Sequence, residues 1–377
     1  MQLQFDAISE PSEPGSKFQK LFEVHWPAYK EWLASNSLTY LPDLATSQSA
    51  LEKYMPEMVP VYYKLCKLVK ANTIAKQFLT GFQPPPYLAA CSQAVLTKNE
   101  VQLVRNYDYH PNLVEGTLLL SAWNGKKVMG TSDCLIGLLD GMNEDGLSVS
   151  LTFGGRNIVG EGFGIPFILR YILEFYSHVD DAVKALVKIP SHMAYNVTVL
   201  DKTGAFKTVY LSPDRAPVVT DEAFATNQQG AVEWEENAEF NKTAERTAAL
   251  SKLLAKEKMN AKSLTNYFLI KPLYNTLFKE GFGTIYTADY RPKEGTLQLH
   301  WKGETMSQSF DDFTEETRTI EYAKQTKNKK TKKKKASKKE TEIESRISGE
   351  NIPWDIVSDY STKLRKKIKI NRFKVNF

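Results

Sequence analysis

The chain is poor in the residues that metal centres and disulfide frameworks require. Three cysteines, Cys66, Cys91 and Cys134, and five histidines are spread over 377 residues. The cysteines form neither a metal-binding spacing nor a paired framework, which fits a reducing, intracellular setting. No H-E-x-x-H appears, so a zinc hydrolase lacks its ligands. The sequence has no G-x-G-x-x-G after a strand pattern and no phosphate-cradling lysine loop. It also lacks the G-x-S-x-G turn that presents a serine nucleophile. No apolar run is long enough to span a bilayer. The opening stretch, MQLQFDAISEPSEPG, has no basic start followed by an apolar block. A secretory signal is therefore not expected, and the chain reads as cytoplasmic. On that expectation the sequons at Asn196 and Asn241 carry no glycan. Nothing in the sequence calls for a metal or an organic cofactor.

What is present divides unevenly. The formal charge is +5, yet ten lysines and no acidic residue lie between Lys324 and Lys339, so everything outside that run sums to −5. The body is mildly acidic and the basicity belongs to a tail. Low-complexity sequence of the KQTKNKKTKKKKASKKE kind has nothing to bury and is expected to be disordered. The tail (324–377) reads as a solubilising extension, or as a weak contact for RNA, DNA or an anionic membrane surface. With 42% hydrophobic and 25% charged residues, the rest is ordinary globular material.

Texture changes along the chain. From about Lys17 to Gln83 apolar residues recur at helical spacing, as in Tyr54, Met58, Tyr62, Leu65 and Val69. Pro84-Pro85-Pro86 ends that region. Strand-like runs begin at Ala90 (AVLTKN, VQLVRNYDY, GTLLLSAW, KKVMGTS, LIGLLDGMN and GLSVSLTF), with turn chemistry at Asn124-Gly125, Asn143 to Gly146 and Gly154-Gly155. Two amphipathic helices follow Pro166, then a hairpin around Asp201 to Gly204, helices over about 243–258 and 261–268, and a strand pair near Trp301. Helices and strands in that order predict an α+β, layered sandwich.

Chemistry gathers between Pro84 and His110. Cys91 opens an apolar strand, and Arg105 and Asp108 lie on the next. A hairpin around Lys98-Asn99-Glu100 returns the second strand to the start of the first. A thiol, a fixed cation and a carboxylate brought together are the parts of an activated sulfur nucleophile. On its own, a cysteine in such a run is more often a small buried hydrophobe; Cys66 and Cys134 are read that way. A papain-like pairing would need His110, His178 or His192, none of which has the expected flanking pattern.

The ordered series CSQAV, VRNYDY, DGMNEDGLSVSLTF, FATNQQ, Arg246 and FGTIYTADYRPKEG with Trp301 resembles the cysteine-type N-terminal-nucleophile hydrolases. Within them it is most similar to the acyl-coenzyme A:6-aminopenicillanic-acid acyltransferase-like branch; choloylglycine hydrolases and acid ceramidase are more distant relatives. The likeness spans about residues 20–305. It implies a four-layer αββα sandwich made as a precursor, in which the thiol attacks the carbonyl of Ala90 and the chain breaks between Ala90 and Cys91. The resemblance divides the chain into a helical segment (1–90) that becomes a small chain, a catalytic sandwich (91–313) and the lysine-rich tail (314–377). It gives Cys91 as nucleophile, Arg105 beside the sulfur, Asp108 as acceptor for the new α-amine, Asn227 as oxyanion donor and Arg246 as electrostatic support. Where relatives carry an asparagine this chain has Thr152, whose backbone N–H is the remaining oxyanion candidate. The substrate implied is a small-molecule amide or acyl thioester, cleaved or exchanged at a linear C–N bond. A different class of function, an uncut scaffold acting through its basic tail, would leave Cys91 dispensable.

Overall fold

Two sheets account for the strand-rich texture. The structure, a computed structural model, describes residues 1–35, 42–87, 89–256 and 258–322. The chain opens with β1 (Gln2–Glu10), followed by α1 (Ser16–Ser35), α2 (Leu44–Tyr54), α3 (Val59–Leu68) and α4 (Thr73–Leu79). Six strands come next: β2 (Ala90–Leu96), β3 (Gln102–Tyr109), β4 (Thr117–Ser121), β5 (Val128–Asp133), β6 (Gly137–Asn143) and β7 (Leu147–Phe153). Helices α5 (Ile165–Phe175) and α6 (Val179–Leu186) lead to β8 (Tyr195–Asp201), β9 (Phe206–Leu211), β10 (Val218–Thr220) and β11 (Phe224–Ala225). Then come α7 (Glu235–Asn241), α8 (Thr243–Leu254) and α9 (Ala261–Phe268), and the described chain closes with β12 (Gly283–Arg291), β13 (Thr296–Trp301), β14 (Glu304–Ser309) and β15 (Glu316–Glu321).

The larger sheet runs β10-β9-β8-β7-β6-β5-β4-β1-β15 and the smaller β11-β2-β3-β12-β13-β14. Every pairing is antiparallel except β1 with β4. The sheets face each other through β2 and β7. Helices α5 and α6 cover the outer face of the larger, α8 and α9 that of the smaller. The expected four-layer α+β sandwich is therefore the observed one.

Alternation in the strands takes a particular form. All seven residues of β7, LSVSLTF, are buried, polar ones included. Its Leu and Val side chains join the core that contains α5. Its hydroxyls point elsewhere: Ser150 Oγ donates to Gln93 Oε1 of the opposing sheet, and Gln93 Nε2 donates to Thr198 Oγ1 at 2.8 Å. The polar half of the pattern thus faces the other sheet instead of solvent. Each buried polar atom there needs a partner, because an unpaired one costs about 1–3 kcal/mol. The outer face of β2 and β3 joins an apolar patch, Ala94, Leu96 and Val104 packed on Leu250, Leu253, Leu264 and Phe268, to buried polar side chains, of which Gln102 and Asn106 donate to carbonyls of α9 and the loop after it.

Two expected boundaries need correction. Residues 1–90 are not wholly helical, because β1 is an interior strand of the larger sheet, between β4 and β15. The sandwich also runs past 313 and past the strand pair at Trp301, since β15 pairs with β1 from Gln2↔Glu321 to Ala7↔Glu316. The two strands pair across more than 300 residues, which no local pattern reveals. The lysine-rich run and the rest of the tail lie outside the described residues. Among those described, no helix is long and apolar enough to cross a membrane.

Candidate active site

The hairpin forms as expected, with Cys91 opposite Tyr107 and Gln93 opposite Arg105. Period-two alternation then decides which side chains meet. Cys91, Gln93 and Arg105 face the opposing sheet. Cys91 is fully buried, and Nη2 of Arg105 lies 3.1 Å from its Sγ. The backbone N–H of Asp108 also points at the sulfur. Burial pushes the thiol pKa up, and the nearby Arg105 only partly offsets this, with Asp108 adding to the rise. In the uncut chain Cys91 is accordingly a thiol at neutral pH, and it needs a base to react.

Arg105 is itself tightly held. Its Nε donates to the Leu151 carbonyl at 2.8 Å, Nη1 to Asp140 Oδ2, and the guanidinium lies 4.8 Å over the Tyr107 ring. Burial works against the charge, but the sulfur, Asp140 and Tyr286 pull the other way and keep it.

Asp108 differs from the expectation of one shared volume. Residues 105 and 108 are an odd number apart on one strand, so their side chains take opposite faces. Asp108 points away from the sulfur, toward the cross-strand Thr284, whose hydroxyl donates to Oδ1 at 2.6 Å. Burial raises its carboxyl to about 6, with Arg246, Thr284 and Arg105 opposing.

Arg246, on α8, reaches the same side of the hairpin. Its Nη1 donates to the Cys91 carbonyl at 2.5 Å and to Ser92 Oγ at 2.9 Å. Nη2 donates to Asn227 Oδ1 at 2.6 Å, and Nε to the Asn241 carbonyl at 2.8 Å. Asn227 is oriented by this network. Its Nδ2 donates to the Phe153 carbonyl at 2.9 Å, while Oδ1 accepts from the Cys91 N–H at 3.3 Å. It therefore offers Cys91 an acceptor, and not the free amide donor that an oxyanion would need. Thr152, in β7, donates its hydroxyl to the Thr226 carbonyl at 2.8 Å and accepts from Asn196 Nδ2 at 3.0 Å, fixing the loop that carries Asn227.

Other residues sit behind these without having been singled out by sequence. Asp140 and Tyr286 support Arg105, and Asn241 supports Arg246. A lone carboxylate inside the apolar run LIGLLDGM was a signal for the first, and Tyr286 lies within the FGTIYTADYRPKEG stretch; Asn241 left none. Asn143 belongs to the turn, where its side chain ties Leu147 N to the Leu173 and Tyr176 carbonyls. Upstream of Cys91, Tyr87 packs against Trp32, Tyr109 and His192. Burial depresses the His192 pKa to about 4. Among the described residues no histidine is hydrogen-bonded to Cys91, which removes the papain-like pairing.

No curated protein sequence matches the chain. Among solved structures it is similar to the conjugated bile acid hydrolase of Clostridium perfringens (14% identity, 62% of this chain and 97% of that one, TM-score 0.38). It is also similar to the penicillin V acylase of Agrobacterium tumefaciens (14% identity, 59% and 86%, TM-score 0.40). A third is the Caenorhabditis elegans N-acylethanolamine-hydrolyzing acid amidase ortholog (19% identity, 54% and 93%, TM-score 0.39). The sequence model of one family matches residues 95–306, more than half of the chain: the protein belongs to the acyl-coenzyme A:6-aminopenicillanic acid acyl-transferase family.

Proposed function

We propose that the chain cuts itself between Ala90 and Cys91, and that the freed Cys91 hydrolyses or transfers the acyl group of a small-molecule amide or acyl thioester. Family membership supports the amidohydrolase or acyltransferase class. The observation that carries the finer reading is the environment of one residue. The Cys91 sulfur, N–H and carbonyl are each held by a separate side chain, Arg105, Asn227 and Arg246.

In the first scission Sγ attacks the Ala90 carbonyl carbon. The S–C bond forms, the C–N bond to Cys91 breaks, and the thiol proton passes to the departing nitrogen. Water then hydrolyses the thioester, leaving the Ala90 carboxylate and an α-amine on Cys91. That amine has an ordinary pKa of about 7.7–8.0, so near neutral pH it can take the thiol proton for later turnovers. Asn227 Oδ1, already on this nitrogen, orients it, and the Asp108 carboxylate favours its protonated form. An incoming amide would be attacked in the same way, with water or a second amine resolving the acyl-enzyme.

Denaturing mass analysis of the purified protein beside a Cys91→Ala variant tests the reading. Two fragments meeting at Ala90–Cys91 in the wild type, and one chain in the variant, are expected. A wild-type chain that stays at 42.8 kDa across the neutral and acidic range would refute self-cleavage.

A further inference from the structure

Behind Cys91 lies a heavily hydrogen-bonded carboxylate, that of Asp140, in β6. It is fully buried and accepts from Thr131 Oγ1 at 2.7 Å, the Tyr290 hydroxyl at 2.5 Å, the Tyr286 hydroxyl at 2.9 Å, and Nη1 of Arg105. Four donors converge on it from β3, β5 and β12, the strands that flank the sulfur or face it. Resting on the reading of Cys91 as nucleophile, we infer that Asp140 is a positioning residue for the reaction. It fixes the Arg105 guanidinium against the sulfur and gives it a counter-charge that stays constant while the charge on sulfur changes.

The physical need is specific. During turnover the sulfur is in turn a thiol, a thiolate and a thioester, and only the thiolate is charged. A buried guanidinium facing the sulfur alone would be unpaired in two of the three states, and an unpaired buried charge is strongly destabilising. Paired with Asp140, Arg105 is compensated in all of them. There is a kinetic side as well. Thiolate nucleophilicity falls as the thiol pKa falls, so an uncompensated arginine would yield more thiolate of poorer reactivity. Asp140 moderates that pull. The other titratable groups around Cys91, Arg105 and Asp140 are Tyr107 and Asp108 on β3, Asp133 on β5, Arg246 on α8, Tyr195 on β8, and Tyr286 and Tyr290 on β12.

Two substitutions in the full-length chain separate this role from packing. In Asp140→Asn the amide oxygen keeps the bonds from Arg105 and Tyr286. Its NH2 turns to Thr131 and Tyr290, whose hydroxyls accept as readily as they donate. Geometry survives and the charge is lost. In Tyr290→Phe the charge stays but loses one hydrogen bond, so the carboxylate bears harder on Arg105. The readout is the ultraviolet absorbance of the thiolate against pH, taken as the difference from the same variant carrying Cys91→Ser. The Cys91 midpoint is expected to fall by about one pH unit in Asp140→Asn and to rise by about 0.3 unit in Tyr290→Phe. Packing alone would not move the two in opposite directions. An unmoved midpoint in Asp140→Asn, or shifts of the same sign in both, would overturn the inference. Should Asp140→Asn not fold, Tyr290→Phe decides alone: a rise supports the role, and no change or a fall overturns it. The titration does not depend on self-cleavage. A chain that stays whole counts against the nucleophile reading, whereas an unmoved midpoint in a chain that cuts itself counts against Asp140 only.

Discussion

Asp108→Asn should stabilise the protein while stopping its chemistry. The Asp108 carboxyl is fully buried, and its pKa is raised to about 6, chiefly by desolvation. An aspartate in an unfolded chain titrates near 3.9 (about two units lower), a difference of about 3 kcal/mol. Because the folded chain holds the proton more tightly, stability is greatest below about pH 4, falls as pH rises through about 6, and stays reduced above. The amide would keep the Thr284 hydroxyl bond but bring an NH2 whose desolvation costs about 1 kcal/mol. The net gain near pH 7.5 is then about 2 kcal/mol, or roughly 3 °C in melting temperature for a chain of this size. Thermal unfolding, followed by circular dichroism in a Cys91→Ala background, keeps self-cleavage from blurring the comparison. The gain should be present near pH 7.5 and gone near pH 4 (roughly the unfolded pKa). An Asp108→Asn chain that melts no higher than its parent near neutral pH, or whose advantage is the same at both, would refute the reasoning.

Other outcomes follow from the same geometry. Arg246→Met strips donors from the Cys91 carbonyl, Asn227 and Asn241, so urea unfolding should show a loss of about 3 kcal/mol or more, and mass analysis no scission. Gly155 has φ +70°, and a Cβ there would sit 1.9 Å from the Asn227 carbonyl oxygen. Gly155→Ala should therefore displace the Asn227 loop and slow scission by about tenfold or more, read as the fraction of whole chain against time. Asp133, whose carboxyl is also raised, by burial and then by Glu115, likewise loses stability for the fold as pH rises from the acid side. Asp133→Asn should flatten that slope in the same melting assay; an unchanged slope would show that Asp133 does not cause it.

The sequence made the hairpin legible because its signal is local. Polar turn residues at 98–100 and two alternating strands suffice to bring Arg105 back to Cys91. The opposite placement of Asp108 was also within reach, since an odd spacing on one strand puts two side chains on different faces. β1 was not legible. Leu3, Phe5 and Ala7 do alternate with Gln2, Gln4 and Asp6, but its partners begin at Thr117 and Glu316, so its place in the sheet depends on packing across the whole chain. Asn227 illustrates a further limit. Sequence can nominate an amide near a nucleophile, but which end of that amide faces the site depends on the Phe153 carbonyl and Arg246, neither of which is near it in the chain.

The interior position of β1 has a consequence for how the molecule is made and lost. During synthesis the first strand emerges long before either neighbour, and its outer edge stays open until residue 321 has left the ribosome. Nascent chains thus pass through a stage in which an unpaired edge invites association with other molecules. The same arrangement makes the molecule's history matter. A whole chain can return β1 to its slot by an intramolecular search. For a chain severed after Ala90, the fragment bearing β1 would have to be recaptured from solution, so recovery becomes concentration-dependent. Such a protein would endure through the slowness with which its first strand escapes, and once that strand is lost by dilution it would not reassemble.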